Sequence, residues 1–347
     1  MFRKGLPPSI PTRGSSIFLP IGKRSQYKRI PALSKPPPAP KISVVVCTYN
    51  RVDLLTEALH SLCDQALPAC CYEIVVVDNN SRDNTREVVE GLGRHHPHLR
   101  YVLEREQGLS AARNRGWQEA HGEYVAYIDD DCKVPKQWLT VASAVIEKVH
   151  PAVFGGPFRA FYKQTPPPWF RDAYGSYDLG SEARVLTRRF LFGGNIFFSR
   201  KLLTELDGFD ATLGMQGQQL GYGEEIAPQL YLRTHRPEQV IYYEPRLYVY
   251  HLVRPEKMRL RWIAYQRFVQ GGYTYRLFEK PVSPEMRQGR LLKQAGKVLL
   301  RLSLELTRGV SRRDRKRYPY AQNYLYEEAF QHVATLGRLY EQYRQCR

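Results

Sequence analysis

The sequence predicts an α/β fold in which a mostly parallel sheet is flanked by helices. Three short runs of β-branched and other apolar residues, at 42–47, 73–77 and 124–128, are typical of strands that are buried on both faces. Segments with apolar residues at helical spacing separate these runs, as in βαβ units with right-handed crossovers. The 347 residues are enough to bury such a sheet, either as one large domain or as a domain with appendages.

The first part of the chain alternates strand and helix regularly. After the strand at 42–47, the predicted elements are a helix over 54–62, a strand over 73–77, a helix from residue 83, a strand over 101–103, a helix over 110–120 and a strand over 124–128. Ser110 is expected to cap the third of these helices, because a serine hydroxyl can accept a hydrogen bond from a free backbone N–H. Pro135 and Trp138 open the next helix.

After residue 150 the alternation is less regular. Glycine, proline and aromatic residues are frequent between 154 and 189, which predicts a loop-rich region that sets substrate specificity. The later predicted elements are a strand with a glycine break over 190–199, a helix over 200–206, a glycine-rich stretch over 208–223, a helix after Glu224 and Glu225, strands over 240–243 and 247–251, and helices beyond 255, among which 324–343 is amphipathic. We expect three parts: a basic, Pro-rich, disordered tail (1–40), a main domain (41–255, with halves 41–150 and 151–255) and a basic helical extension (256–347).

The net charge of +18 is partly concentrated in the tail and in the extension. Residues 1–41 carry nine lysines and arginines and no acid, and a second basic cluster lies at 312–317. Such patches favour anionic partners, namely phospholipid headgroups, phosphorylated lipids or nucleic acid, and the alternative is a solvated surface that aids solubility. The placement of the charge predicts peripheral contact with an anionic membrane.

Cysteine spacing argues against a small disulfide-rich secreted protein, and hydropathy argues against a membrane-spanning protein. The six cysteines show neither paired CxxC spacing nor the density of a small secreted disulfide framework, so reduced thiols in a cytosol are expected. No stretch approaches the ~20 apolar residues of a membrane span, and the N-terminus lacks the apolar core of a signal peptide. We expect a cytoplasmic protein that is peripheral at the cytoplasmic membrane face.

Three consecutive acids, Asp129, Asp130 and Asp131, follow the apolar strand at 124–128. Burying a charge is costly, so the triplet is expected at the carboxyl edge of the sheet, where open α/β sheets bind their ligands. Hard oxygen ligands in that position suit Mg²⁺ or Mn²⁺ holding a phosphate-bearing substrate. The alternative is a solvated acidic turn before a helix.

Polar residues also follow the first two strands. Thr48, Tyr49, Asn50 and Arg51 come directly after the first strand, where a nucleotide would meet side-chain donors, or where these residues would only cap a helix. Asp78 ends the second strand, where its carboxylate can accept hydrogen bonds from a base or a ribose. An Asx turn with the two asparagines that follow is compatible with that role.

Further candidates lie on helices. Arg113 and Asn114 belong to a helix that should pack on the sheet, where an arginine near acids is often a salt-bridge partner. Glu224 and Glu225 begin a helix, a position in which the helix dipole also favours acids that serve only as caps.

These residues occur in an order that resembles the non-processive family 2 glycosyltransferases, which have the GT-A fold. The resemblance covers roughly residues 41–255 and rests on seven features: Cys47-Thr-Tyr-Asn-Arg51, Val77-Asp-Asn-Asn-Ser81, Gly108-Leu-Ser-Ala-Ala-Arg-Asn114, Asp129-Asp-Asp131, Gly193-Gly-Asn195, Gly223-Glu-Glu225 and His251. Each motif alone is weakly specific, but their common order is strong support.

The resemblance implies an inverting, metal-dependent transfer of one sugar from a nucleotide-diphosphate sugar, commonly a UDP-sugar, to a hydroxyl of a glycan or lipid-linked acceptor. Asp131 would coordinate Mn²⁺ or Mg²⁺ on the diphosphate, Asp129 would contact the ribose or the metal, and His251 would complete the site unless it is only structural. Residues expected to bind the nucleotide sugar are Thr48, Tyr49, Asn50, Arg51, Asp78, Arg113, Asn114, Asp129 and Asp130, and Gly194 and Asn195 would form a loop at the donor and acceptor.

The general base is expected in the acid pair, where this chain departs from the family. The family usually has Glu-Asp, and its second acid deprotonates the acceptor hydroxyl. Here that acid is Glu225, whose extra methylene moves the carboxylate by roughly a bond length, so Glu224 remains a second candidate. The processive synthases of the family carry Gln-x-x-Arg-Trp, whereas this chain has Met258 in place of the glutamine before Arg261-Trp262. A non-processive enzyme is therefore favoured.

Two other functions are alternatives. A nucleotidyltransferase on a similar sheet would need a glycine-rich phosphate loop and a catalytic cation after the first strand, for which Arg51 is a weak candidate. A catalytically degenerate module that binds anionic membrane or nucleic acid would fit the charge of +18. Clustered carboxylates repel phosphate unless a metal is present, so we expect no nucleic-acid partner.

Overall fold

The structure, a computed structural model, describes residues 39–279 and 288–346. The expected tail, 1–40, lies almost wholly outside these ranges. The strands are β1 (Ile42–Thr48), β2 (Tyr72–Asp78), β3 (Leu99–Leu103), β4 (Tyr124–Asp129), β5 (Cys132–Lys133), β6 (Val153–Gly155), β7 (Phe158–Phe161), β8 (Arg184–Val185), β9 (Asn195–Ser199), β10 (Ile241–Tyr243) and β11 (Val249–Leu252). The α-helices are α1 (Val52–Cys63), α2 (Thr85–Gly93), α3 (Leu109–Glu119), α4 (Trp138–Val149), α5 (Asp172–Gly175), α6 (Arg200–Glu205), α7 (Ile226–His235), α8 (Leu260–Phe278), α9 (Gln288–Ser311), α10 (Ala321–Tyr324) and α11 (Phe330–Gln345). None of the helices within these ranges has the length and apolar content that crossing a bilayer requires.

Most of the strands form one eight-stranded sheet in the order β3-β2-β1-β4-β9-β6-β10-β8. β1 pairs in parallel with β2 and β4, and β2 pairs in parallel with β3, which confirms the predicted mostly parallel sheet. β9 lies between β4 and β6 and runs antiparallel to both. The register places Thr48 opposite Asp78 and Cys47 opposite Asp129, so the polar residues at the ends of three parallel strands meet at one carboxyl edge.

A three-stranded sheet, β5-β11-β7, continues from the acidic triplet. β11 runs parallel to β7 and antiparallel to β5, which places His251 opposite Cys132. The backbone N–H of Leu252 donates to the carbonyl oxygen of Asp131 at 3.0 Å. Because β5 follows the triplet directly, this pairing brings His251 beside the acids.

Apolar residues fill both faces of the large sheet. On one face Val44 and Ile74 belong to the same core as the apolar sides of α1 and α4, and on the other face Val45 and Val75 belong to the same core as residues of α3 and α6. All four strand side chains are fully buried. Covering by helices on both sides explains why these strands are continuous apolar runs in the sequence.

The strand expected over 190–199 is shorter than predicted, since β9 begins at Asn195. The N–H of Asn195 donates to the carbonyl oxygen of Phe192 in a turn, and the backbone of Leu191 exchanges hydrogen bonds with the side chain of Gln229. The backbone of Leu191 and the carbonyl of Phe192 therefore find hydrogen-bond partners without a neighbouring strand.

The expected cap of α3 was also wrong. The N-cap residue is Gly108, and the Ser110 hydroxyl donates to the carbonyl oxygen of Leu213 at 2.7 Å. This bond ties α3 to the glycine-rich stretch at 208–223, a distant contact that the local sequence does not indicate.

The C-terminal helices pack against one another and against the loop before α7. α8 and α11 cross so closely that a Cβ on Gly271 would lie 1.8 Å from the carbonyl oxygen of Ala334. At the end of α8, Leu277 lies against Gly223, which has a φ of +104° and where a Cβ would come within 2.5 Å of Leu277 Cδ1. The rings of Tyr222 and Tyr273 also meet there, with centroids 6.1 Å apart. α8 therefore supports the loop that carries the acid pair.

Candidate active site

The residues expected to act on a nucleotide sugar surround the carboxyl edge of the large sheet. β1, β2 and β4 end there in Thr48, Asp78 and Asp129. His251 comes from the small sheet, and the acid pair directly precedes α7. Carboxyl edges of this kind are where open α/β sheets bind ligands.

Asp131 is held by basic side chains from a later part of the chain. Its Oδ1 lies 3.2 Å from His251 Nε2, and its Oδ2 lies 3.8 Å from Lys257 Nζ and 3.9 Å from Arg254 Nε. Burial disfavours the ionised form, but His251 and Lys257 lower the pKa of Asp131 below its ordinary value. Asp131 is therefore a carboxylate at neutral pH although it is buried.

Arg254 and Lys257 were not identified from the sequence. They fall at the junction between the expected main domain and the expected extension, three and six positions after His251. The signal that would have found them is this pair of cations immediately after the strand that ends in the histidine. Their contacts with Asp131 place fixed positive charge beside the acidic triplet.

Asp129, Asp131 and His251 form a donor set for a divalent cation. Their ligand atoms, together with Cys132 Sγ, all lie within 4.8 Å of one another. Carboxylate and imidazole ligands suit Mn²⁺, whereas a thiol suits softer metals. Burial raises the pKa of the Cys132 thiol well above its ordinary value, so we do not count it as a ligand. Because Asp129 is partly exposed, a cation bound here would be accessible to a phosphate from solvent.

Arg113 connects the acidic triplet with the acid pair. Its Nη1 donates to Glu224 Oε1 at 2.6 Å, and its Nη2 lies 3.9 Å from Asp129 Oδ1. The buried guanidinium also lies 5.6 and 6.0 Å from the ring centroids of Tyr127 and Phe209. Burial disfavours its charge, but the neighbouring carboxylates, Glu224 first among them, raise the pKa of Arg113 above its ordinary value. Arg113 is a fixed charge between the two acidic groups.

Glu224 and Glu225 differ in their surroundings. One oxygen of Glu224 accepts from Arg113, while the Oε2 atoms of both glutamates are buried and have no hydrogen-bond partner among the described residues. Burial and the carboxylate of Glu224 raise the pKa of Glu225 to about 8, although Arg113 opposes the shift. A carboxyl group with an unpartnered oxygen and a pKa near the working pH has the properties of a general base.

Gly193 lies directly against the guanidinium of Arg113. A Cβ at this position would lie 2.3 Å from Arg113 Nη2, so an alanine would displace the arginine from Glu224. We expect Gly193→Ala to lower the free energy of unfolding by about 1–3 kcal/mol, the usual cost of overpacking. Gly194→Ala is the matched control, because its Cβ would meet only the movable carboxylate of Asp129 at 3.0 Å. Thermal denaturation of both variants tests this, and equal losses would contradict it.

Asp130 has a different environment from its two neighbours. It is buried, with Oδ2 accepting from Thr48 Oγ1 at 2.9 Å and Oδ1 accepting from Arg51 Nη1 at 3.1 Å. Burial raises the pKa of Asp130 to about 6, although Arg51 opposes the shift. The structure thus joins the acidic triplet to the residues that follow β1, and Asp130 holds two of them in place.

The turns after β1 and β2 are joined by hydrogen bonds. Asp78 accepts from the N–H of Ser81 and from the hydroxyl of Tyr101, each at 2.8 Å. Asn50 adopts a φ of +52°, and its Oδ1 accepts from the N–H of Arg82 at 2.7 Å. Asp78 is buried, and each of its carboxylate oxygens already accepts one of these hydrogen bonds. Tyr49 is partly exposed beside these turns.

Two of the expected binding residues hold backbone segments instead of facing the site freely. The side chain of Asn114 exchanges two hydrogen bonds with the backbone of Phe209. The buried side chain of Asn195 donates to two backbone carbonyls and accepts from Trp138 Nε1. Both side chains fix the loops around the site.

Known proteins match a part of the chain that includes the ends of β1, β2 and β4. A sequence model described as "Glycosyl transferase family 2" matches residues 43–207. The succinoglycan biosynthesis protein ExoM of Rhizobium meliloti is 29% identical over 241 residues, which cover 68% of this chain and 74% of that protein. The glucosyl-dolichyl phosphate glucuronosyltransferase of Haloferax volcanii is 26% identical over 250 residues, which cover 69% of this chain and 77% of that protein.

Two solved structures share the fold. Mannosyltransferase PcManGT from Pyrobaculum calidifontis, in complex with GDP-Man and Mn²⁺, has a TM-score of 0.50 and 20% identity, and the match covers 86% of this chain and 74% of that chain. S. aureus TarS 1–349, in complex with UDP-GlcNAc, has a TM-score of 0.51 and 20% identity, with 87% and 92% covered. Together they show that the architecture is the GT-A fold.

Proposed function

We propose that this chain, which is a glycosyltransferase of family 2, transfers one sugar from a nucleotide-diphosphate sugar to a hydroxyl of a glycan or lipid-linked acceptor, with inversion and with bound Mn²⁺ or Mg²⁺. The observation that carries the proposal is the proximity of two groups at one sheet edge. One is the donor set of Asp129, Asp131 and His251, and the other is the acid pair, to which Arg113 connects it.

The first group would bind the donor. Asp129, Asp131 and His251 would hold the divalent cation, which neutralises charge on the leaving diphosphate. Arg254 and Lys257 would add positive charge at the same place. The turns after β1 and β2, with Asp78, would bind the nucleoside. We propose a UDP-sugar as the donor, because UDP-sugars are the common donors of the family that the chain resembles.

The second group would activate the acceptor. Glu225 takes the proton from the acceptor hydroxyl as that oxygen forms a bond to the anomeric carbon. The bond from this carbon to the diphosphate oxygen breaks in the same step, and a single displacement of this kind inverts the configuration. Glu224 is the weaker candidate for the base, because one of its oxygens is occupied by Arg113.

The names of the relatives support the class of acceptor. One relative is named for succinoglycan biosynthesis and another acts on a glucosyl-dolichyl phosphate. We therefore propose a growing polysaccharide or a lipid-linked saccharide as the acceptor, and action at the cytoplasmic membrane face. A degenerate binding module is not favoured, because the residues that the chemistry requires are all present.

Ligand binding measured by thermal shift tests the donor site. We expect one nucleotide sugar among those of UDP, GDP and CDP to stabilise the protein only with Mn²⁺, by roughly 2.7 kcal/mol at 100 times its Kd. Asp131→Asn should abolish the metal-dependent shift, whereas Asp64→Asn, which changes an exposed aspartate paired with Lys136, should retain it. No stabilisation by any nucleotide sugar in the wild type would overturn the proposal.

A further inference from the structure

Helix α9 has an apolar stripe that no other described segment covers. Leu292, Leu299, Leu306 and Val310 follow one another at intervals of seven, seven and four residues, which places them within about 40° around the helix axis. Their exposed fractions are 60%, 51%, 41% and 71%. Scattered exposed leucines are ordinary, but a continuous stripe along a helix marks an interaction surface.

The surface beside this stripe is basic. Lys293, Lys297 and Arg301 lie on the solvent side of α9, interspersed with the exposed Leu300 and Leu304. Among the described residues, the only ion pair of α9 lies within the helix itself, where Arg308 pairs with Glu305. Glu305 is the one acid of this helix. The basic turn at 312–317 follows directly. An apolar stripe flanked by lysine and arginine is the pattern of a helix that lies in a membrane interface.

Three partners could cover this stripe: a second copy of the helix, the N-terminal residues 1–38 or an anionic membrane. Their charges distinguish between them. α9 carries five cations and one acid, so a second copy of the same helix would be repelled. Residues 1–38 carry eight cations and no acid, and would be repelled in the same way. An anionic phospholipid surface offers acyl chains to the leucines and phosphates to the lysines and arginines.

We propose that α9 and the turn at 312–317 form an interfacial membrane anchor, with the leucine stripe at the boundary between headgroups and acyl chains. The inference rests on the proposed function, since a lipid-linked acceptor requires the enzyme at the bilayer. α9 packs on α11, α11 packs on α8, and α8 supports the loop at Gly223. The anchor is therefore joined through packed helices to the acid pair.

Co-flotation of the full chain with vesicles tests the anchor. We expect binding to vesicles of phosphatidylcholine with about one third phosphatidylglycerol, and little binding to phosphatidylcholine alone. Leu299→Gln should weaken binding roughly tenfold or more, the effect of withdrawing one leucine from an apolar phase. Lys297→Glu should weaken it roughly thirtyfold, at about fivefold per unit of charge.

Two matched controls separate the anchor from general effects. Val185→Gln changes an equally exposed apolar residue, at 53%, on another surface. Arg94→Glu makes the same change of net charge at the exposed end of α2. Both controls should bind vesicles like the wild type. Equal loss in a variant and its control, or equal binding to both kinds of vesicle, would overturn the anchor.

Two further measurements complete the test. Mn²⁺-dependent stabilisation by the nucleotide sugar should be unchanged in Leu299→Gln, so loss of vesicle binding with intact donor binding would be specific to the anchor. If the wild type fails to bind vesicles while donor binding is intact, the anchor is wrong and the proposed function stands. Sedimentation without lipid should show a species that Leu299→Gln does not change. A dimer that this substitution dissociates would assign the stripe to a second copy and overturn the proposal.

Discussion

Replacing Glu225 with glutamine is expected to lower kcat by about 100- to 10,000-fold, the usual contribution of a general base. The substitution keeps the size of the side chain and removes its ability to accept a proton. It also removes a buried carboxyl group whose Oε2 has no hydrogen-bond partner among the described residues, so stability should not fall. Binding of the nucleotide sugar should be unchanged, because the donor set lies on the other side of Arg113. Single-turnover kinetics and donor binding by calorimetry measure the two effects separately.

Glu224→Gln is the informative comparison for Glu225→Gln. Glu224 is the partner of the buried Arg113, so its substitution should lower both stability and activity. A variant that loses activity alone identifies the base, and one that loses both identifies the structural partner. If Glu224→Gln loses activity alone while Glu225→Gln stays active, the roles of the two glutamates are reversed.

The pH dependence of activity provides a second check on Glu225. A base acts in its ionised form, and burial together with Glu224 raises the pKa of Glu225 to about 8. Activity should therefore be highest above pH 8 and should fall about tenfold per pH unit below it. Glu225→Asp should retain a dependence of this sign at a lower rate. A kcat/KM for the acceptor that stays constant between pH 6 and 8 would contradict the assignment.

Replacing Arg113 with methionine is expected to produce the largest loss of stability, about 3–5 kcal/mol in the free energy of unfolding. The change removes a buried guanidinium and leaves the carboxylate of Glu224 buried without a partner. Methionine retains much of the apolar contact with Tyr127 and Phe209, so the loss reports mainly on charge. In a protein of this size the melting temperature should fall by roughly 4–7 °C. Chemical denaturation measures the change in free energy directly.

The double variant Arg113→Met/Glu224→Gln tests the cause of that loss. Removing both members of a buried pair leaves no unpaired charge, so the double variant should be more stable than Arg113→Met alone. Arg86→Met is the control, because Arg86 belongs to an exposed ion pair with Glu90 and its loss should leave stability unchanged. If the two single losses simply add in the double variant, the pair is not coupled and the explanation is wrong.

The sequence was most informative where the signal is local. The continuous apolar runs at β1, β2 and β4 predicted buried parallel strands, and the acids at their ends predicted a site at one edge. The resemblance then assigned roles to single residues, including the distant His251. The strand predictions succeeded because strand formation and two-sided burial leave a pattern within a few neighbouring residues.

Other features depended on pairing between distant segments. The insertion of β9 against the direction of β4 and the small sheet that brings His251 beside Asp131 have no local signature. The Ser110 hydroxyl was expected at a helix cap but bonds to Leu213. In each case the partner lies far along the chain, and a sequence pattern contains no information about which of many compatible partners is reached.

The sequence by itself therefore determined the class of fold, the sheet edge at which the polar and acidic residues meet and the kinds of side chain present there. Only the tertiary structure decided which acid of the pair is neutralised by Arg113, which cations face Asp131 and which apolar stripe of α9 remains exposed. The physical reason is that charge and burial depend on distances between segments, such as the 111 residues that separate Arg113 from Glu224 along the chain. Those distances are set by packing, and the pKa of Glu225 follows from them.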